Sequence, residues 1–170
     1  MCMKMTFIFL LFALIILQTA LAECPDGFEH HGTQCYKVLP LEASWIEAKH
    51  YCRLLGTELL VIETAAEETT IEGILTKLHG SHLDEVYWVS GSDMISENNW
   101  LWLTGDGLSV PMNFSDWGFG QPDNAGHHQD CLLIQYHGVA RTSWYDEMCS
   151  NQHSFICEIK YVDHEEVVVG

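Results

Sequence analysis

The chain has 170 residues and carries 24 Asp and Glu against seven Lys and Arg, a formal charge of −17. That surplus of carboxylates argues against nucleic acid or an anionic membrane as a partner, because phosphate recognition needs the opposite sign. Cations, neutral sugars and basic or mineral surfaces stay open.

Residues 1–22 stand apart from the rest. Lys4 precedes an apolar run over residues 6–17, and Ala20-Leu21-Ala22 offers a small-residue cleavage site before Glu23, which is the plan of a secretory signal. The run falls short of the roughly 20 residues that span a bilayer, and no later run is as long, so the sequence predicts a secreted, extracellular protein without a membrane anchor. Taking 22 from 170 leaves 148 residues, a length suited to one domain with a core of its own. Lys4 and Cys2 leave with the signal, so the charge becomes −18 and six cysteines remain. An even count in a secreted chain predicts three disulfides, and spacing alone does not choose their pairing.

Cys24-Pro25-Asp26-Gly27-Phe28 reads as a turn and Cys35-Tyr36-Lys37-Val38-Leu39 as a strand, with Cys24–Cys35 the natural local staple. Ser44-Trp45-Ile46-Glu47 is a capping box. The helix it starts should end at Gly56, with Trp45, Ala48, Tyr51 and Leu55 as its apolar stripe. Leu59-Leu60-Val61-Ile62 reads as a short buried strand. Thr64-Ala65-Ala66-Glu67 repeats the capping box and opens a second helix, with Ile71, Ile74, Leu75 and Leu78 along one face and Gly80 at its end. Short apolar runs follow at residues 86–89, 100–103, 132–136 and 154–159. Helices first and strands afterwards predict an α+β domain over residues 23–160. The six tryptophans are expected mainly in its core. Residues 104–130 show little regular pattern, as a functional loop would, and residues 161–170 read as a frayed tail.

The chemistry concentrates in that loop. Trp117-Gly118-Phe119-Gly120-Gln121-Pro122-Asp123-Asn124-Ala125-Gly126-His127-His128-Gln129-Asp130-Cys131 sets oxygen-bearing side chains on a Pro- and Gly-punctuated segment ending at a cysteine. Trp144-Tyr145-Asp146-Glu147-Met148-Cys149 places a carboxylate three residues before another. A bond between those cysteines would bring Asp146 to the loop. Oxygen ligands from a loop and a neighbouring strand suit a hard cation such as Ca²⁺.

In order and spacing these residues resemble the C-type lectin-like family over residues 24–159. The features that carry the resemblance are Cys24-Pro25-Asp26-Gly27 with Cys35-Tyr36, the helix from Trp45 to Cys52, Tyr87-Trp88-Val89-Ser90-Gly91, Gln121-Pro122-Asp123, Trp144-Tyr145-Asp146, and Cys131, Cys149 and Cys157. The resemblance implies two helices packed on a mixed or antiparallel set of strands, with pairings Cys24–Cys35, Cys52–Cys157 and Cys131–Cys149. It implies a cis peptide before Pro122 and a Ca²⁺ held by Gln121, Asp123, Gln129 and Asp146, whose open positions take two sugar hydroxyls. Gln-Pro-Asp is similar to the family's galactose-type triplet, so galactose or N-acetylgalactosamine is the expected glycan. Two positions depart from the pattern: Gln129 stands where the family usually has Glu, and Tyr145 where it usually has Asn. Gln129 lowers the charge facing the ion, on which calcium affinity depends, and the phenol of Tyr145 is a poor calcium ligand, too long to stand in for an amide. The galactose-type aromatic two residues past the triplet is replaced by Ala125.

Other readings carry less. His127, His128 and Asp130 lack the spacing of a zinc site. No serine or cysteine sits in an activating frame, so an enzyme is not expected. A calcium-independent protein- or mineral-binding module is the alternative that the acidic charge keeps open. Asn113-Phe114-Ser115 is a glycosylation sequon, and several copies on one homo-oligomer would raise a weak single-site affinity.

Overall fold

The computed structural model describes residues 24–160 apart from 81–84, 106 and 139; the signal segment and the tail read above lie outside the described residues. In chain order the elements are β1 (Glu29–His31), β2 (Gln34–Ala43), α1 (Trp45–Leu54), β3 (Glu58–Leu59), α2 (Ala65–His79), β4 (Glu85–Ser92), β5 (Leu101–Leu103), β6 (Ser109–Pro111), β7 (Cys131–Tyr136), β8 (Thr142–Glu147) and β9 (His153–Lys160). The strands connect in the order β1-β2-β9-β4-β5-β6, with β3 on β9, β7 on β4 and β8 on β7. All pairings are antiparallel except β4 with β9.

Both helices begin where their capping boxes put them. Glu47 accepts the Ser44 backbone N–H at 2.9 Å. In α2 the exchange is reciprocal, Glu67 N–H donating to Thr64 Oγ1 at 3.2 Å and Thr64 N–H to Glu67 Oε2 at 3.0 Å. These bonds satisfy backbone donors that have no partner within a helix's first turn. Gly56 and Gly80 follow the helices at φ +72° and +62°, conformations that cost glycine nothing.

Period-two alternation divides the core between the faces of the sheet. Tyr87 and Val89 of β4, Leu132, Ile134 and Tyr136 of β7 and Ile156 of β9 pack with Ile71, Ile74 and Leu75 of α2. Trp88, Leu133, Phe155 and Cys157 point the other way and pack with Trp45, Ala48 and Cys52 of α1. A fully buried tryptophan leaves an N–H to satisfy. Trp45 donates to Val89 O at 2.8 Å, Trp88 to Ala43 O at 2.9 Å and Trp144 to Glu68 Oε2 at 3.0 Å. Trp102 is also fully buried, while Trp100 and Trp117 are half-buried and meet edge to face at 4.9 Å.

The helix stripes are narrower than their sequences imply. Tyr51 and Leu55 of the expected α1 stripe are exposed, because the Cys52–Cys157 disulfide turns the Cys52 line toward the sheet. Tyr51 lies at its margin, its ring stacked on Phe155. At the end of α2, His79 rather than Leu78 meets Tyr87 and Tyr136. The expected strand over residues 59–62 leaves the ladder after Leu59. Leu60 donates to Ile156 O and accepts from Ser90 N–H, and Val61 donates to the Glu158 carboxylate. The segment is thus shared between β9, β4 and a side chain. β6 forms within the stretch expected to be irregular.

Candidate functional site

The loop over residues 117–130 stands on β8. Trp117 bridges Trp144 in parallel, Gly118 N–H donates to Trp144 O at 2.9 Å and Trp144 N–H to Asp116 O at 2.9 Å. The ring of Tyr145 lies directly under Gly118, where an added Cβ would stand 2.9 Å from Cζ of that ring. So Tyr145, which departs from the family's amide, supports the foot of the loop, and a larger residue at position 118 would have to displace its ring. The Gln121–Pro122 peptide is cis. The Cys131–Cys149 disulfide joins the start of β7 to the segment after β8, and Cys149 O accepts the first N–H of α1 at 3.0 Å.

Asp146 is the centre of the arrangement and is almost wholly buried. Its Oδ1 accepts the Asp123 N–H at 3.1 Å, its Oδ2 the Asn124 N–H at 2.6 Å and its carbonyl the Gln129 Nε2 at 3.1 Å. Asp123 Oδ1 accepts the Ala125 N–H at 3.0 Å, and Gln129 Oε1 accepts the same N–H. Gln129 N–H is held by Asn124 Oδ1 at 3.2 Å. Three of the four residues expected from sequence, Asp123, Gln129 and Asp146, therefore join one hydrogen-bonded network. Gln121 lies beside it across Pro122, with its Oε1 buried and without a hydrogen-bond partner among the described residues. His127 and His128 are exposed.

A second group of carboxylates adjoins the first, and sequence reading missed it. Ser92 pairs with Cys131, which sets Asp93 beside Asp130; the Asp93 N–H donates to Asp130 O at 3.2 Å. Asp93 is buried with Oδ1 unpartnered, and Asn124 Nδ2 donates to Glu97 Oε1 at 2.7 Å. Burial first, and then the neighbouring Glu97 and Asp130 charges, hold the Asp93 carboxyl above its usual range. Asp93 and Asp130 are 37 positions apart, and no local pattern signals their meeting; the only cue is the Asp93…Glu97 spacing after a buried strand.

The donor chemistry fits a hard cation. Gln121, Asp123, Gln129 and Asp146 offer carbonyl and carboxylate oxygen alone, the ligand type of Ca²⁺. An ionised carboxylate has about four acceptor positions, so Asp146 keeps capacity beyond its two backbone bonds, and Gln121 brings an acceptor with nothing to accept. Among the described residues no three His, Cys, Asp or Glu side chains converge as a metal-holding group on their own, so the amides of Gln121 and Gln129 are needed to complete a set.

Two helices on opposite faces of a mixed sheet, three disulfides in the expected pairing and an oxygen-lined loop define a C-type lectin domain. The family model for the lectin C-type domain matches residues 41–159, and the chain belongs to that family. Perlucin from Haliotis laevigata is 36% identical over 135 residues, covering 79% of this chain and 82% of perlucin. The galactose-specific lectin nattectin from Thalassophryne nattereri is 29% identical over 142 residues, covering 84% of each. The human scavenger receptor C-type lectin carbohydrate-recognition domain superposes with a TM-score of 0.69 at 29% identity, covering 82% of this chain and all of that one. Among the described residues no helix is long and apolar enough to cross a membrane.

Proposed function

We propose that this protein is a secreted lectin that binds galactose or N-acetylgalactosamine through a Ca²⁺ held by Gln121, Asp123, Gln129 and Asp146. The observation that carries the reading is the buried, unpartnered Gln121 Oε1 beside a network centred on Asp146. A buried acceptor without a partner is costly, and a cation would satisfy it. When bound, the ion supplies open coordination positions to a pair of neighbouring sugar hydroxyls. The chain's own part is to order the donors: the Gln121 amide donates to one hydroxyl and the Asp123 carboxylate accepts from the other. The galactose-specific relative supports the choice of sugar, as does the Gln-Pro-Asp order. Three disulfides suit an oxidising, extracellular compartment, consistent with residues 1–22 as a signal, residues 23–160 as the recognition domain and residues 161–170 as a tail. This is binding without turnover.

Calorimetry on the oxidised protein should record Ca²⁺ uptake in the millimolar range, and a galactose resin should retain it in calcium and release it in EDTA. No uptake of calcium at that concentration would overturn the proposal.

A second reading, a calcium-independent module for a protein or mineral surface, is favoured by the same contacts seen differently. Asp146 already accepts three loop donors, and Tyr145 supplies support where an ion ligand is expected. Retention on calcium carbonate that free galactose does not compete would favour this reading over the first.

A further inference from the structure

Phe119 stands out among the exposed apolar side chains of the protein. Its relative exposure is 106%, so none of the described residues covers it, although it lies only two residues before Gln121. The turn that presents it is firmly held. Gln121 N–H donates to Gly118 O at 3.0 Å, closing a four-residue turn with Phe119 at its first corner. Gly120 takes the second corner at φ +83°, as a type II turn requires. Beneath it, Gly118 is hydrogen-bonded to Trp144 and rests on the Tyr145 ring. A mobile loop tip with an apolar side chain would be unremarkable. A buttressed turn that holds a bare phenyl group two residues before the first of the proposed polar ligands is the kind of element that can form one wall of a binding site, in which apolar surface and a few polar groups act together.

The remaining loop supplies no such wall. Ala125, Gly126, His127 and His128 are exposed, and Ala125, two residues past the triplet, offers only a methyl group. The ligand set is also short of charge at Gln129. Resting on the sugar-binding reading above, we infer that Phe119 is the sugar-contacting aromatic of this loop, its ring lying against the apolar C–H face of a pyranose whose hydroxyls are held at Gln121 and Asp123. The contact excludes water from one side of the sugar and adds affinity that the polar ligands lack. It also selects for rings that present a continuous C–H face on the side toward the turn, as galactosides do.

The test uses the full-length secreted protein in saturating calcium with methyl β-galactoside as the probe. Because Phe119 packs on nothing, Phe119→Ala should leave folding and calcium affinity at wild-type values. Its sugar affinity should fall about three- to tenfold, the scale of a single aromatic contact. Phe119→Trp should restore affinity, and galactoside should change its fluorescence relative to that of the wild type. If wild type binds the galactoside and Phe119→Ala binds it equally well, the inference is overturned while the lectin reading stands. If wild type binds calcium but no sugar, both are overturned. Loss of calcium uptake in Phe119→Ala would also overturn it, because the residue would then be shaping the ion site instead of touching the sugar.

Discussion

Gln129 shows how much one atom can matter at the proposed ion site. Its Nε2 donates to the Asp146 carbonyl and its Oε1 accepts from Ala125 N–H, so the amide holds the loop together without a metal. A glutamate there keeps the second bond and loses the first, setting a carboxylate against a carbonyl. Gln129→Glu should therefore lower stability in EDTA and bind calcium about tenfold more tightly, roughly 1.4 kcal/mol. Thermal denaturation with and without calcium measures both effects, and a wider gap between the two melting temperatures is the expected outcome. Asp146 acts in the opposite direction. Asp146→Ala removes the acceptor for two backbone N–H groups and should cost about 2–4 kcal/mol in urea denaturation. It should also abolish calcium uptake.

At the scale of elements, the joint between α2 and β8 decides how the site's strand is held. Glu68 is buried where it accepts from Thr142 Oγ1 and Trp144 Nε1, and Glu72 accepts the Thr142 N–H at 3.0 Å. Burial pushes the Glu68 carboxyl up to about 7, against the lowering effect of those two bonds. Its folded value lies above its unfolded one, so the stability it contributes is present below about pH 4.5 and is lost as pH rises through 7. Glu158, raised to about 8 by burial, acts in the same direction. Denaturant midpoints should therefore fall between pH 5 and 8, and Glu68→Gln should flatten part of that slope while keeping an acceptor for Trp144. The helix starts were legible in the sequence because a capping box is local chemistry. The stripe edges were not, since a disulfide to a distant strand and a histidine between two tyrosines settle which side turns inward. The end of β3 is hidden from sequence for a similar reason: Leu60 and Val61 are buried, but their backbone bonds are divided among partners that no short window contains.

Across the whole molecule, three covalent links secure different parts. Cys131–Cys149 closes 18 residues and Cys52–Cys157 closes 105. The first joins the loop to the strand that bears Asp146. Replacing Cys131 and Cys149 together by serine should cost about 3 kcal/mol and weaken calcium binding well beyond that loss of stability. Circular dichroism should still report a folded domain, and calorimetry would separate the two effects. The fold was legible because the spacing of its cysteines and motifs matches a family, and the four proposed ligands rest on the same match. The Asp93, Glu97 and Asp130 group was not, because it exists only where β4 meets β7. Phe119 was visible in the sequence, but its isolation on a supported turn is a property of the folded chain.

The pairing of the first long strand with the last has a practical result. Gln34 lies opposite Lys160, and Cys24 is bonded to Cys35, the neighbour of Ile159 across the ladder. Both ends of the described domain thus emerge at the same end of the β2–β9 ladder. Such a unit is a cassette: spliced into a host protein's surface turn, it would need only a narrow gap between its two attachment points.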